Sequence, residues 1–227
     1  MPRRVSLVLP SIVTFCSLML GVLAIMVLAD GNFLLAALMI TLGSVLDVLD
    51  GQLASRLDAV SDIGKELDSL ADVVTFGVAP TMFFYHMLIA VGVDQRMSAL
   101  VSLAFVVAGA FRLARFNTIP SDRNAFFKGM PIPMASVLLI TASFWQHWVI
   151  NIWWVIIVFT ISFLMVSPFA YPKSNHVINM PRLAWGGIGG YSIFFWLIAG
   201  WQGVPLGLFL LYACSGPFIS FLRPPRR

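Results

Sequence analysis

DVLDGQLASRLDAVSDIGKELDSLADVVTFGVAP, running from Asp47 to Pro80, decides how the rest of this chain is read. It holds seven of the chain's ten acidic residues and lies between two apolar runs long enough to enter a membrane. Moving an ionised side chain out of water costs on the order of several kcal/mol unless something compensates. Acids concentrated at the ends of membrane helices therefore point to function.

The surroundings establish the membrane setting. Of 227 residues, 59% are hydrophobic and 11% charged, with a mean hydropathy of +0.92, against about 25% charged in soluble domains. Apolar runs recur from Ile12 to Leu222 with short polar gaps, so 1–227 reads as one all-α domain, a polytopic bundle of transmembrane helices. At about 20 residues per crossing, eight spans are expected, near 11–29, 33–56, 66–91, 98–116, 133–150, 152–171, 186–201 and 204–222. The seventh is short and glycine-rich. With both termini cytoplasmic, thirteen of the fourteen Lys and Arg residues fall inside and Arg96 alone outside, a positive-inside bias that sets the orientation. Asp30-Gly31-Asn32 and Gly92-Val93-Asp94 read as tight outer turns, and Asn117 to Pro133 as an inner loop.

Other features are plainer. Cys16 and Cys214 lie in apolar runs and imply no disulfide, and the first apolar run lacks a small-residue cleavage site. The net charge of +4 reflects topology rather than nucleic-acid binding. His86, His147 and His176 are too scattered for a shared metal site, and Trp145, Trp148, Trp153 and Trp154 read as an interfacial aromatic belt. The Arg-Pro-Pro-Arg-Arg tail reads as an anchor to anionic lipid.

The uncharged run from Phe33 to Leu46 gives about 21 Å of helix before Asp47, which puts Asp47 and Asp50 at the headgroup level on the cytoplasmic side. Asp47 and Asp50 are three apart, and Gly64, Asp68 and Asp72 are four apart in series, so each set shares a helix face. Two antiparallel helices joined by a short turn bring the faces together. Four converging carboxylates call for a cation, and all-oxygen ligands suit Mg²⁺, Mn²⁺ or Ca²⁺ rather than zinc. Gly51, Ala54 and Gly64 leave room for a bulky phosphorylated ligand beside the acids. Asp58, Asp62 and Glu66 read as solvated or capping residues, with Asp62 at or next to an N-cap.

The pattern resembles the signature of the CDP-alcohol phosphotransferase family, Asp-x-x-Asp-Gly-x-x-Ala-Arg, eight residues, Gly-x-x-x-Asp-x-x-x-Asp. Asp47, Asp50, Gly51, Ala54, Gly64, Asp68 and Asp72 match; Ser55 stands where the signature has arginine, with Arg56 one residue later. Pro10, Thr14 and Gly21 are similar to the family's opening Pro-Asn-x-x-Thr segment, with Ser11 replacing asparagine. ELDSLAD (66–72), VVTFGVAP (73–80), RLARFN (112–117) and FKGMPIP (127–133) resemble the serine-using branch, and Ser69 stands where the glycerophosphate branch usually has proline.

The resemblance covers about residues 8–135 as a catalytic core, leaving accessory spans over about 133–222. It implies transfer of the phosphatidyl group from CDP-diacylglycerol to L-serine, with Mg²⁺ or Mn²⁺ as cofactor and a homodimer in the cell membrane. It further implies Asp47, Asp50, Asp68 and Asp72 as metal ligands and Asp72 as general base. The donor would contact Thr14, Gly51, Ala54, Ser55, Arg56 and Gly64. For the serine carboxylate the chosen guanidinium groups are Arg112 and Arg115, on the helix feeding the inner loop, ahead of Asn117, Arg123 and Lys128. Glycerol 3-phosphate or inositol phosphate as acceptor, an archaeal ether-lipid donor, and a cation-coupled transporter are the competing readings. A transporter predicts acids near the midplane; here they cluster on one side.

Overall fold

The computed structural model describes residues 3–59, 61–118, 126–144, 151–172 and 203–222. In chain order these form α1 (Arg3–Ala29), α2 (Phe33–Arg56), α3 (Asp62–Asp72), a π-helical turn (Val73–Val78), α4 (Ala79–Ala90) and α5 (Gln95–Thr118). β1 (Phe126–Lys128), α6 (Ile132–Ser143), α7 (Asn151–Val166), β2 (Ala170–Pro172) and α8 (Gly203–Leu222) follow. The two strands make a short antiparallel ribbon with Phe127 opposite Tyr171. Among the described residues everything else in regular structure is helical, as expected.

Among the described residues, four helical stretches are long and apolar enough to cross a membrane: Val8–Ala29, Phe33–Arg56, Asp62–Ala90 and Gln95–Thr118. They coincide with the first four expected spans, the third being α3, the π turn and α4 in one stack. Only 28% of the apolar windows of α1 and α2 is buried, against 56% for Asp62–Ala90, so the third stretch runs through the middle of the bundle. Leu38, Leu42, Leu100 and Val107 point outward, as suits side chains that meet lipid.

The later spans differ from expectation. α6 begins at Ile132 and is described to Ser143, within the expected 133–150. The sixth expected span, 152–171, ends early: the helix stops at Val166, and β2 follows from Ala170. Pro168 explains this, because it lacks an N–H and disfavours helical backbone in the residue before it. The inner loop is also shorter, since α5 continues to Thr118 and β1 occupies 126–128. The seventh expected span, 186–201, lies outside the described residues.

Local chemistry sets the joints. Gly31 (φ +77°) makes the turn into α2, where the Asn32 side chain accepts from Leu35 N–H at 3.2 Å. The Ser61 side chain caps α3 by accepting from Gly64 N–H at 3.1 Å, so Asp62 is the first residue of the helix rather than its cap. Asp94 caps α5 through Arg96 and Met97 N–H. Phe33, Phe83, Phe84 and Phe105 meet edge to face, with centroids 5.6–5.8 Å apart, and pack α2, α4 and α5 together at the start of α2. The carboxylates lie toward the other end of α2. Trp154 corrects the belt reading: it is buried in the core, while Trp153 is exposed. Trp145 and Trp148 are outside the described residues.

Candidate active site

α2 supplies Asp47 and Asp50, and α3 supplies Asp68 and Asp72. The two helices bring oxygens of Asp47, Asp50 and Asp68 within 4.8 Å of one another. Asp72, one turn beyond Asp68, is buried; its carboxyl adjoins that of Asp47 and faces the charge of Arg112. Thr14 on α1 completes the set: its Oγ1 donates to Asp50 Oδ2 at 2.6 Å while lying 3.1 Å from Pro10 O. Thr14 and Asp50 are each 5% exposed, so this bond fixes Asp50 away from bulk water.

Two ionised carboxylates within 4.8 Å of each other repel by roughly 3.5 kcal/mol or more at an effective dielectric of 20. A set of this kind is tolerable only with protons or a cation among the oxygens. Its donors are all carboxylate oxygens, the set that hard divalent cations prefer.

Beside the triad opens a cleft of about 210 Å³. Thr14, Asp50, Gly51, Ala54, Gly64 and Asp68 line it, which brings together most of the expected donor positions. A Cβ added at Gly51 would meet nothing within 4 Å, so this glycine keeps the cleft open. Ser55 and Arg56 are exposed and line no part of it; Arg56 sits in the last turn of α2, where a cation complements the helix dipole. Pro10, Ser11, Ala59, Ser61 and Lys65 also line the cleft, and sequence reasoning did not single them out for it. Lys65, the one cation between Arg56 and Arg96, was the available signal. Its Nζ lies 3.3 Å from Asp62 at the rim.

Arg112 and Arg115, both on α5, part company. Arg112 is 6% exposed and faces Asp72, and its Nε has no hydrogen-bond partner among the described residues. Arg115 is committed elsewhere: Nη1 donates to Val166 O at 2.7 Å, and Nη2 to Lys128 O at 3.1 Å and Ser167 O at 3.3 Å. It staples the end of α7 and β1 to α5. Gly129 (φ +81°) is needed beside it, because a Cβ there would run into Met165 O. Asn117 Nδ2 donates to Ser69 Oγ at 2.9 Å, so RLARFN and ELDSLAD meet directly. Asp58, Asp62 and Glu66 are exposed.

Residues 7–167 match the family described as CDP-alcohol phosphatidyltransferase. A Bacillus subtilis protein named CDP-diacylglycerol--serine O-phosphatidyltransferase is 39% identical over 179 residues, which is 78% of this chain and 98% of that protein. A protein of the same name from Helicobacter pylori J99 is 41% identical over 143 residues, but the match spans only 59% of its length. One from Methanocaldococcus jannaschii is 35% identical over 162 residues, covering 71% of this chain and 72% of that protein. Every carboxylate and arginine described above lies within the matched residues, and α8 lies beyond them.

Proposed function

The chain belongs to the CDP-alcohol phosphatidyltransferase family, and from that premise we propose that it transfers the phosphatidyl group of CDP-diacylglycerol to L-serine, giving phosphatidylserine and CMP. The observation that carries the reading is the convergence of Asp47, Asp50 and Asp68, of which Asp50 and Asp68 line an open cleft shared with the signature's small residues. The names of the relatives support serine as the acceptor. So does the Asn117–Ser69 contact, which proline at position 69 would remove.

The donor set fits a divalent metal, Mg²⁺ or Mn²⁺, held by Asp47, Asp50 and Asp68 with Asp72 adjoining. Such an ion supplies positive charge to the diphosphate and to the departing CMP. The remaining work falls to the chain. Gly51, Ala54 and Gly64 admit the donor, and Thr14 holds Asp50 in one orientation. Arg112 offers a buried guanidinium to the serine carboxylate. Asp72 takes the serine hydroxyl proton as Oγ forms its bond to the lipid-side phosphorus. The bond from that phosphorus to the CMP oxygen breaks, and its electron pair leaves with CMP. Arg115, expected beside Arg112, instead holds the wall of the acceptor end, since three carbonyls already engage its guanidinium.

Headgroup depth suits this chemistry, because the reacting phosphorus lies there. The positive-inside bias supports a cytoplasmic site, cytoplasmic termini and eight spans. A catalytic core near 8–135 with accessory spans, a homodimer and location in the cell membrane complete the reading. The test supplies membranes containing the protein with CDP-diacylglycerol, Mg²⁺ or Mn²⁺, and labelled serine or glycerol 3-phosphate in parallel. Label enters lipid from serine; label from glycerol 3-phosphate alone rejects the serine assignment.

A further inference from the structure

Directly after Asp72 the α3 backbone widens into the π turn Val73–Val78 before α4 resumes. Its mark is the bond from Ala79 N–H to Val74 O, one residue longer than the α-helical reach. A π turn inserts one residue, which changes the rotational phase between the flanking helices by about 100°. It also leaves backbone groups that need other partners.

A hydroxyl from α6 supplies one such partner, and a hydroxyl of the turn itself reaches out to α1. Ser136 Oγ on α6 lies 2.6 Å from Phe76 O and 2.8 Å from Ile132 O, so one buried proton is shared between the turn and α6. Thr75 Oγ1 donates to Ser17 O on α1 at 3.1 Å, and Ser17 Oγ donates to Gly43 O on α2 at 3.1 Å. Thr75 is fully buried. It fills a slot only glycine leaves: a Cβ at Gly21 would lie 2.7 Å from Thr75 Cα, and one at Gly43 would lie 2.8 Å from Thr75 Cγ2. Thr75 thus keys the turn into both α1 and α2, which carry Thr14, Asp47 and Asp50.

Apart from the exposed Asn117–Ser69 hydrogen bond, the contacts that set the rotation of α3 lie at its end next to the π turn. Its buried residues are Ala71 and Asp72, both next to the π turn, while Ile63 and Leu70 are 83% and 65% exposed. We propose that the π turn is a positioning device for the reacting carboxylates: Thr75 and Ser136 hold α3 in the rotation that aims Asp68 and Asp72 at Asp47 and Asp50. The proposal rests on Asp72 being the base, and adds two positioning residues that touch neither substrate.

The full-length protein in lipid nanodiscs tests it through Thr75→Val, Thr75→Ser, Ser136→Ala and Asp72→Asn. The readings are kcat, KM for CDP-diacylglycerol and serine, thermal midpoint, and Mn²⁺ binding by electron paramagnetic resonance without substrate. Thr75→Val keeps the slot filled and loses the hydroxyl. It should lower kcat tenfold or more, leave both KM values within twofold, and weaken Mn²⁺ binding at least threefold through Asp68. Thr75→Ser should recover kcat to within threefold of wild type, and Ser136→Ala should fall like Thr75→Val. If Thr75→Val does not accumulate, Ser136→Ala decides by the same readings. Wild-type kcat and Mn²⁺ binding in Thr75→Val and Ser136→Ala, beside an inactive Asp72→Asn, overturn the positioning role alone. So does an equal loss in Thr75→Val and Thr75→Ser, which would make packing the cause. Normal turnover in Asp72→Asn instead overturns the base, and the positioning proposal with it.

Discussion

Thr14→Val removes one hydroxyl and keeps the shape of a side chain that is 5% exposed. The lost bond is the 2.6 Å contact to Asp50 Oδ2. A hydrogen bond to a charged group contributes about 1.5–3 kcal/mol. Pro10 O does not lose a partner it depends on, because α1 is helical there and its carbonyl remains in the backbone ladder. The loss therefore falls on Asp50, which becomes free to rotate away from Asp47 and Asp68. If the full bond is expressed in the transition state, kcat/KM falls roughly ten- to a hundredfold. The assay is serine incorporation by the purified protein at varied CDP-diacylglycerol and varied Mn²⁺. The Mn²⁺ concentration for half-maximal rate should rise in Thr14→Val and return toward wild type in Thr14→Ser. Activity within twofold of wild type at limiting Mn²⁺ would refute the claim that Thr14 orients a ligand.

Other changes separate the parts of the site. Arg112→Lys keeps the charge but loses the planar fork, so KM for serine should rise about tenfold or more with KM for CDP-diacylglycerol unchanged, as initial rates against each substrate will tell. Arg115→Ala breaks three carbonyl contacts and should lower stability by about 1–3 kcal/mol, seen as a lower thermal midpoint with KM for serine little changed. Gly51→Val places a branched side chain where the cleft is open; KM for CDP-diacylglycerol should rise while the thermal midpoint holds. Chelation with EDTA should stop turnover, and Mg²⁺ or Mn²⁺ should restore it where an apolar additive does not.

Much of the site was legible because helical periodicity is a strict geometric rule. Three- and four-residue spacings put Asp47 with Asp50 and Asp68 with Asp72, and a short connection between α2 and α3 forced the pairs together. Gly51, Ala54 and Gly64 were readable as the open wall for the same reason. Arg112 and Arg115 were not separable, since both are cations on one helix and only the fold shows which one meets carbonyls. Lys65 reads in the sequence as ordinary surface chemistry, an exposed lysine near an acid at helical spacing. The π turn at Val73–Val78 leaves no periodic trace, as it arises from the glycine slot around Thr75 and the Ser136 hydroxyl, both contributed from far along the chain. The early end of α7 is written in Pro168, a local signal within a stretch whose hydropathy is that of a continuing span.

The central claim is that the four carboxylates of α2 and α3 carry out phosphatidyl transfer to serine, and one vessel tests it. Purified wild-type protein and Asp72→Asn receive CDP-diacylglycerol, labelled serine and Mn²⁺, and both CMP release and label in lipid are counted. The account predicts one CMP per serine incorporated by the wild type and neither product from Asp72→Asn at an unchanged thermal midpoint. CMP released without serine entering lipid, or both products formed at the wild-type rate by Asp72→Asn, would contradict it.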